Sequence, residues 1–87
     1  MKQPANTEKL TVSARGPFNV YYEGDASSVT ATNRVGEFDV LPGHADFFSV
    51  LSPSEVIIET TSEPINFKIS NGIITVRDNE VLLFVNI

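Results

Sequence analysis

The 87-residue chain has no cysteine and no tryptophan. Without thiols it has neither a disulfide framework nor a thiolate metal site to brace a small core, and a reducing compartment is the simplest one for it. His44 is the only histidine, so a zinc centre with three or four convergent ligands lacks its usual donors, and no metal is expected. No uninterrupted apolar run approaches the ~20 residues of a membrane-spanning helix. The start, Met1-Lys2-Gln3-Pro4-Ala5-Asn6-Thr7-Glu8, lacks the apolar stretch of a secretory signal. Neither direct membrane insertion nor export by that route is expected. Positive charge is also scarce, six Lys and Arg against eleven Asp and Glu for a net −5. Lys9, Arg15, Arg34, Lys68 and Arg77 are scattered, whereas phosphate binding needs a concentrated basic face, which argues against nucleic acid and anionic lipid as partners. The five glycines are isolated, so no loop of the phosphate-cradling type exists and no nucleotide cofactor is expected.

What the chain does have is strand material. Hydrophobic residues make up 41% and charged residues 20%, which suits a globular chain with room for one domain. Residues 1–8, polar and with an early proline, read as a flexible N-terminal arm. From Lys9 to Ile87, runs rich in Val, Ile, Phe, Tyr and Thr recur about every eight to ten residues between Gly, Pro, Asn, Asp and Ser. That rhythm predicts an all-β antiparallel sandwich or barrel, with strands near Lys9–Ala14, Asn19–Tyr22, Ser27–Thr32, Glu37–Leu41, Phe47–Leu51, Glu55–Thr60, Ile65–Ser70, Ile73–Arg77 and Glu80–Asn86. Ile65, Phe67 and Ile69 alternate with Asn66, Lys68 and Ser70, so one face of that strand is core. Asn71-Gly72 predicts a type I′ hairpin turn, and Leu41-Pro42-Gly43-His44 a type II turn with Pro42 fixing φ and Gly43 taking positive φ. Asp78-Asn79 is a third, weaker turn signal. Val81-Leu82-Leu83-Phe84-Val85 is apolar on both faces, so this strand is either sandwiched within the protein or covered by a partner.

Few residues offer chemistry. His44 and Asp46 could act as base and orienter with Ser49 or Ser52 as nucleophile, giving a small hydrolase, but residues two apart in a turn seldom meet in triad geometry. The simpler use of His44 is packing or hydrogen bonding in its turn. Asp78-Asn79-Glu80 could hold calcium, though a two-residue hairpin turn is the simpler use of that triplet. Phe18, Tyr21, Phe38, Phe47, Phe48, Phe67 and Phe84 read as core, with sugar stacking on Tyr21 and Tyr22 as a minor option. Glu23, Asp25, Glu37, Asp39, Glu55, Glu59 and Glu63 read as solvated charges that guard strand edges. The expectation is a binding domain without catalysis.

The stretch Gly36-Glu37-Phe38-Asp39-Val40-Leu41-Pro42-Gly43-His44-Ala45 resembles the N-terminal β-sandwich domain of the epsilon subunit of F-type ATP synthases, which typically reads G-E-[LF]-G-[IV]-[LY]-P-G-H-A there. Val12-Ser13-Ala14, Tyr22-Glu23-Gly24, Phe48-Ser49-Val50-Leu51-Ser52-Pro53 and Ile69-Ser70-Asn71-Gly72-Ile73-Ile74-Thr75-Val76 resemble further segments of the family in the same order. Asp46, Ser54 and Asn71 depart from its usual residues. The resemblance implies a flattened sandwich of about ten strands that couples rotation without catalysis of its own. It implies the gamma subunit and the membrane c-ring as partners, a monomer when isolated, and a cytoplasmic position at the inner face of the membrane. By position, Arg34, Val35, Gly36 and Glu37 resemble the segment facing the c-ring, and Ser13, His44 and Ser49 positions facing gamma. The helical hairpin that usually follows the sandwich is not in this sequence, so the resemblance implies no rotor-blocking role for these residues. The rival expectations are a free-standing module for another protein or a glycan, and the hydrolase built on His44.

Overall fold

In the computed structural model, residues 9–87 are described; the expectation for residues 1–8 lies outside them. Nine strands form among the described residues: β1 (Leu10–Arg15), β2 (Val20–Ala26), β3 (Ser28–Asn33), β4 (Gly36–Val40), β5 (Phe47–Leu51), β6 (Ser54–Glu59), β7 (Ile65–Ile69), β8 (Gly72–Arg77) and β9 (Glu80–Val85). All nine predicted strands are present, and β5 has the predicted bounds. The largest difference is β2, which runs on through Glu23, Gly24 and Asp25 to Ala26. Those residues read as turn material, but pairing with β1 from Leu10 to Arg15 holds them extended.

The strands make two sheets, one ordered β2-β1-β9-β8-β5 and the other β4-β3-β6-β7. Four antiparallel hairpins (β1–β2, β3–β4, β6–β7 and β8–β9) supply most of the pairing, and between them the chain crosses from one sheet to the other. The first and last strands meet in the middle of the larger sheet, β1 and β9 running parallel with Thr11 opposite Glu80 and Arg15 opposite Phe84. Alternation sets the core. Leu10, Val12 and Ala14 of β1, Ile74 and Val76 of β8, and Val81, Leu83 and Val85 of β9 point inward against Val29, Ala31, Val40, Val56, Ile58 and Ile69 of the other sheet. Each fully buried Leu, Ile or Val contributes about 1.5–3 kcal/mol relative to its exposed state.

Aromatic pairs close both open sides of the sandwich. Tyr21 on edge strand β2 stacks on Phe67 of edge strand β7 at 4.6 Å, and Phe38 on edge strand β4 meets Phe47 of edge strand β5 edge-on at 5.3 Å. Asn86 Nδ2 donates to Tyr21 Oη at 3.0 Å. Tyr22 Oη donates to the Asp25 carbonyl. Both tyrosines are partly buried against the core, as read for Tyr21 from the sequence.

The turns correct one prediction and bear out two. Gly43 has φ 86° and the His44 N–H donates to the Leu41 carbonyl at 3.0 Å, as a type II turn requires. Asn71-Gly72 is no hairpin turn. β7 and β8 lie in different sheets, and neither Asn71 nor Gly72 has positive φ. The tight turn with positive φ at both positions is instead Asp78-Asn79, at 50° and 64°. Asp and Asn are among the residues that accept the left-handed region, and this turn is supported from a distant segment. The Asp78 N–H donates to Asp46 Oδ1 at 3.2 Å, while Asn79 Oδ1 accepts the Gly43 N–H at 2.8 Å. The Pro42-Gly43 turn and the β8–β9 turn thus brace each other, and Asp46, a departure from the family pattern, has a structural use.

Candidate functional site

The outer face of the five-stranded sheet is the most distinctive surface. The same alternation that buries Val81, Leu83 and Val85 sends Leu82 and Phe84 outward, 44% and 43% exposed. Register places Phe84 beside Ile73 and Leu82 beside Thr75 on β8, then Ile73 beside Val50 and Thr75 beside Phe48 on β5. Phe48 and Val50 are 62% and 64% exposed. An apolar strip therefore crosses three strands, about 10 Å between the outer two. A groove of about 650 Å³ opens at its Asp46 end, between Phe48 and Leu82 and rimmed by Arg77 and Glu80. The structure sandwiches one face of β9 within the protein and turns the other outward.

On the far side of β9 the face becomes polar. Ser13 is opposite Leu82 and Arg15 opposite Phe84. Arg15 pairs with Glu23, and its Nε donates to Ser13 Oγ at 3.1 Å, while Ser13 Oγ donates to Glu23 Oε2 at 3.2 Å. The hydrogen bond from Arg15, then its charge, then the Ser13 hydroxyl hold the Glu23 carboxyl below its ordinary value. A lowered folded-state pKa means that the stabilisation is present above the unfolded value and is lost as pH falls through the folded one. The stability difference between wild type and Glu23→Gln, measured by urea melts, is therefore expected to be constant near neutral pH and to shrink below the ordinary glutamate range. A pH-independent difference would deny the cluster this role.

The residues named from sequence do not form one cluster. Ser13 lies on the outer face of β1. Ser49 is on the inner side of β5, with β8 and β9 between it and β1, and its hydroxyl accepts from Asn33 Nδ2 at 3.1 Å. His44 packs edge-on against Phe47 at 5.3 Å. Its Nδ1 lies 2.7 Å from the Ala45 carbonyl, a contact that needs the proton on Nδ1. Asp46 is engaged with the Asp78 N–H, so the base-and-orienter pair is not assembled. Arg34, Val35, Gly36 and Glu37 form the exposed β3–β4 tip, Val35 being 93% exposed. Asn33 Oδ1 accepts the N–H groups of Val35 and Gly36 at 2.9 and 3.2 Å and shapes that tip. Among the described residues no three His, Cys, Asp or Glu side chains group as metal ligands, and no helix is long and apolar enough to cross a membrane. Phe18, read as core, is 94% exposed between β1 and β2, and sequence reasoning also missed Phe48 and Val50 as surface residues. Their alternation with half-buried Phe47, Ser49 and buried Leu51 was readable, but which set faced out was not.

Residues 9–87 match the family described as the ATP synthase delta/epsilon chain β-sandwich domain. The chain belongs to that family. The ATP synthase epsilon chain of Geobacter sulfurreducens is 32% identical over 78 residues, covering 90% of this chain and 56% of the relative. That of Xanthomonas campestris pv. campestris is 36% identical over 66 residues, covering 75% and 47%. The chain thus spans about half the length of the curated relatives it matches. Among solved structures, a chain of the Tetrahymena thermophila mitochondrial ATP synthase central stalk and c-ring superposes with TM-score 0.78 at 25% identity, covering 88% of this chain and 63% of that one. A chain of the Euglena gracilis mitochondrial ATP synthase OSCP/F1/c-ring assembly has TM-score 0.82 at 20% identity, covering 90% and 51%, and shares the fold.

Proposed function

We propose that the chain is a non-catalytic rotor component of an F-type ATP synthase, seated between the gamma subunit and the membrane c-ring and coupling ion translocation to ATP synthesis. The observation that carries this reading is the outward apolar strip of Phe48, Val50, Leu82 and Phe84 on a member of the family. A domain that leaves large side chains in solvent along one sheet face is suited to assembly, since contiguous exposed apolar surface marks interaction sites. Gamma covers that strip and the neighbouring Ser13, with His44 and Ser49 near its β5 margin. The Arg34, Val35, Gly36 and Glu37 tip faces the c-ring. The domain is monomeric when isolated and takes its place on the cytoplasmic side of the membrane through the assembly. Family membership, the names of the relatives and the central-stalk likeness support this reading.

The test is association of the purified chain with its cognate gamma subunit, by gel filtration and calorimetry. A complex is expected at roughly 10–50 μM of each protein, given the interface a domain of this size can offer. Absence of a complex there overturns the reading. Val35→Asp and Glu37→Lys are expected to leave the melting temperature unchanged while weakening ATP-driven ion pumping by a reconstituted enzyme. Unchanged pumping would remove the c-ring assignment from this tip.

A further inference from the structure

We propose that β5 is an open docking edge, and that an extended segment of the assembly partner adds to it as a sixth strand of the larger sheet. The inference rests on the rotor reading above and concerns how the partner is held.

Sheets end in strands with one unpaired side, and proteins ordinarily guard such edges with charges, bulges or covering loops. Of the four edge strands here, three carry guards. β2 has a register shift opposite Ala14 and Arg15, together with Glu23 and Asp25. β4 carries Glu37 and Asp39, and β7 carries Lys68. β5 is Phe47-Phe48-Ser49-Val50-Leu51, with no charge, proline or bulge. Among the described residues its backbone pairs along its length only with β8; the smaller sheet reaches it through the Ser52 N–H to the Thr32 carbonyl at 2.9 Å, just past its end, and through Asn33 Nδ2 to the inward Ser49 hydroxyl at 3.1 Å. Its two outward side chains, Phe48 and Val50, are each more exposed than Leu82 and Phe84 on the interior strand β9. The open edge and the apolar strip are thus one continuous surface, and a strand added at β5 would extend that strip.

Charge selects the occupant. A second copy would bring another net −5 to the same edge, where Asp46 at the start of β5, with Asp78 and Glu80 nearby, outweighs the one base, Arg77. Like charge disfavours that pairing. A segment of another polypeptide, apolar where it flanks Phe48 and Val50 and basic toward Asp46, fits both features. Main-chain hydrogen bonds would supply affinity, and side-chain alternation the register.

The experiment is amide hydrogen exchange on the full chain, alone and with saturating gamma subunit. Strand addition is expected to slow exchange of those Phe47–Leu51 amides not bonded to β8 by about tenfold or more. Val50→Lys, which installs a guard charge, is expected to weaken the complex about tenfold or more, whereas Val20→Lys on guarded β2 leaves it unchanged. A complex that forms without new protection in β5 overturns this proposal and leaves the rotor reading standing. A stable homodimer of the free chain protected at β5 overturns it in favour of self-pairing. Failure of gamma to bind overturns both.

Discussion

Replacing Gly72 with valine is expected to destabilise the domain by about 3 kcal/mol, which in a chain of this size lowers the melting temperature by roughly 12–24 °C. The reason is proximity. A Cβ built at Gly72 lies 2.9 Å from the Phe84 carbonyl oxygen and 2.9 Å from Val85 Cγ1. The first is backbone of a paired neighbouring strand and cannot swing aside. Gly72 opens β8 opposite Val85, and that end of β9 is fixed by a reciprocal exchange between two asparagines. The Ile87 N–H donates to Asn71 Oδ1 at 2.9 Å, and the Ser70 N–H donates to Asn86 Oδ1 at 2.7 Å. Moving β9 away from a new side chain would break this exchange as well as the end of the β8–β9 ladder. With total stability of about 4–13 kcal/mol expected for a domain this long, a loss of 3 kcal/mol is severe. Thermal melts by circular dichroism measure it. A midpoint within 3 °C of wild type would mean that this corner of the sandwich relaxes freely.

The same residue shows where sequence reasoning stops. Asn71-Gly72 carries the strongest two-residue hairpin signal in the chain, and the need for glycine is real, but the cause is a close approach from β9 and not positive φ. Turn chemistry is local, whereas that contact joins residues about a dozen positions apart, and no pattern around Ser70 indicates that the chain changes sheets there. Asp78-Asn79, the weaker signal, is the tight turn that forms, and the support its own residues did not reveal comes from Asp46 and Gly43. What was legible was what depends on period two and on punctuation: all nine strands, the inward set Ile65, Phe67 and Ile69, and the type II turn at Pro42-Gly43. The parallel pairing of β1 with β9 left no local trace, because parallel partners are joined by everything between them. The site was half legible. β9 revealed itself as apolar on both faces, but β5 could be recognised as an edge only once the sheet order was known.

Changing Leu82 and Phe84 together to aspartate is expected to cut affinity for the gamma subunit at least about 100-fold while leaving the fold in place. Interface anchors in desolvated patches lose about 2 kcal/mol or more each when truncated, and each 1.4 kcal/mol is a factor of ten, so two anchors exceed that threshold even with substantial non-additivity. Carboxylates add the cost of burying charge against Ile73, Thr75 and whatever covers them. Stability is spared because both side chains already face water in the free domain, at 44% and 43% exposure. The residue between them supplies the contrast. Leu83 is wholly buried among the core side chains, and Leu83→Ala is expected to cost about 2–5 kcal/mol of stability. Alternate positions of one strand thus separate assembly from folding. Calorimetric titration with gamma, alongside thermal melts of each variant, reads the two effects. Retained binding by the folded double aspartate variant would place the partner elsewhere on the domain, and its unfolding would mean that the outer strip stabilises the free sandwich more than its exposure implies.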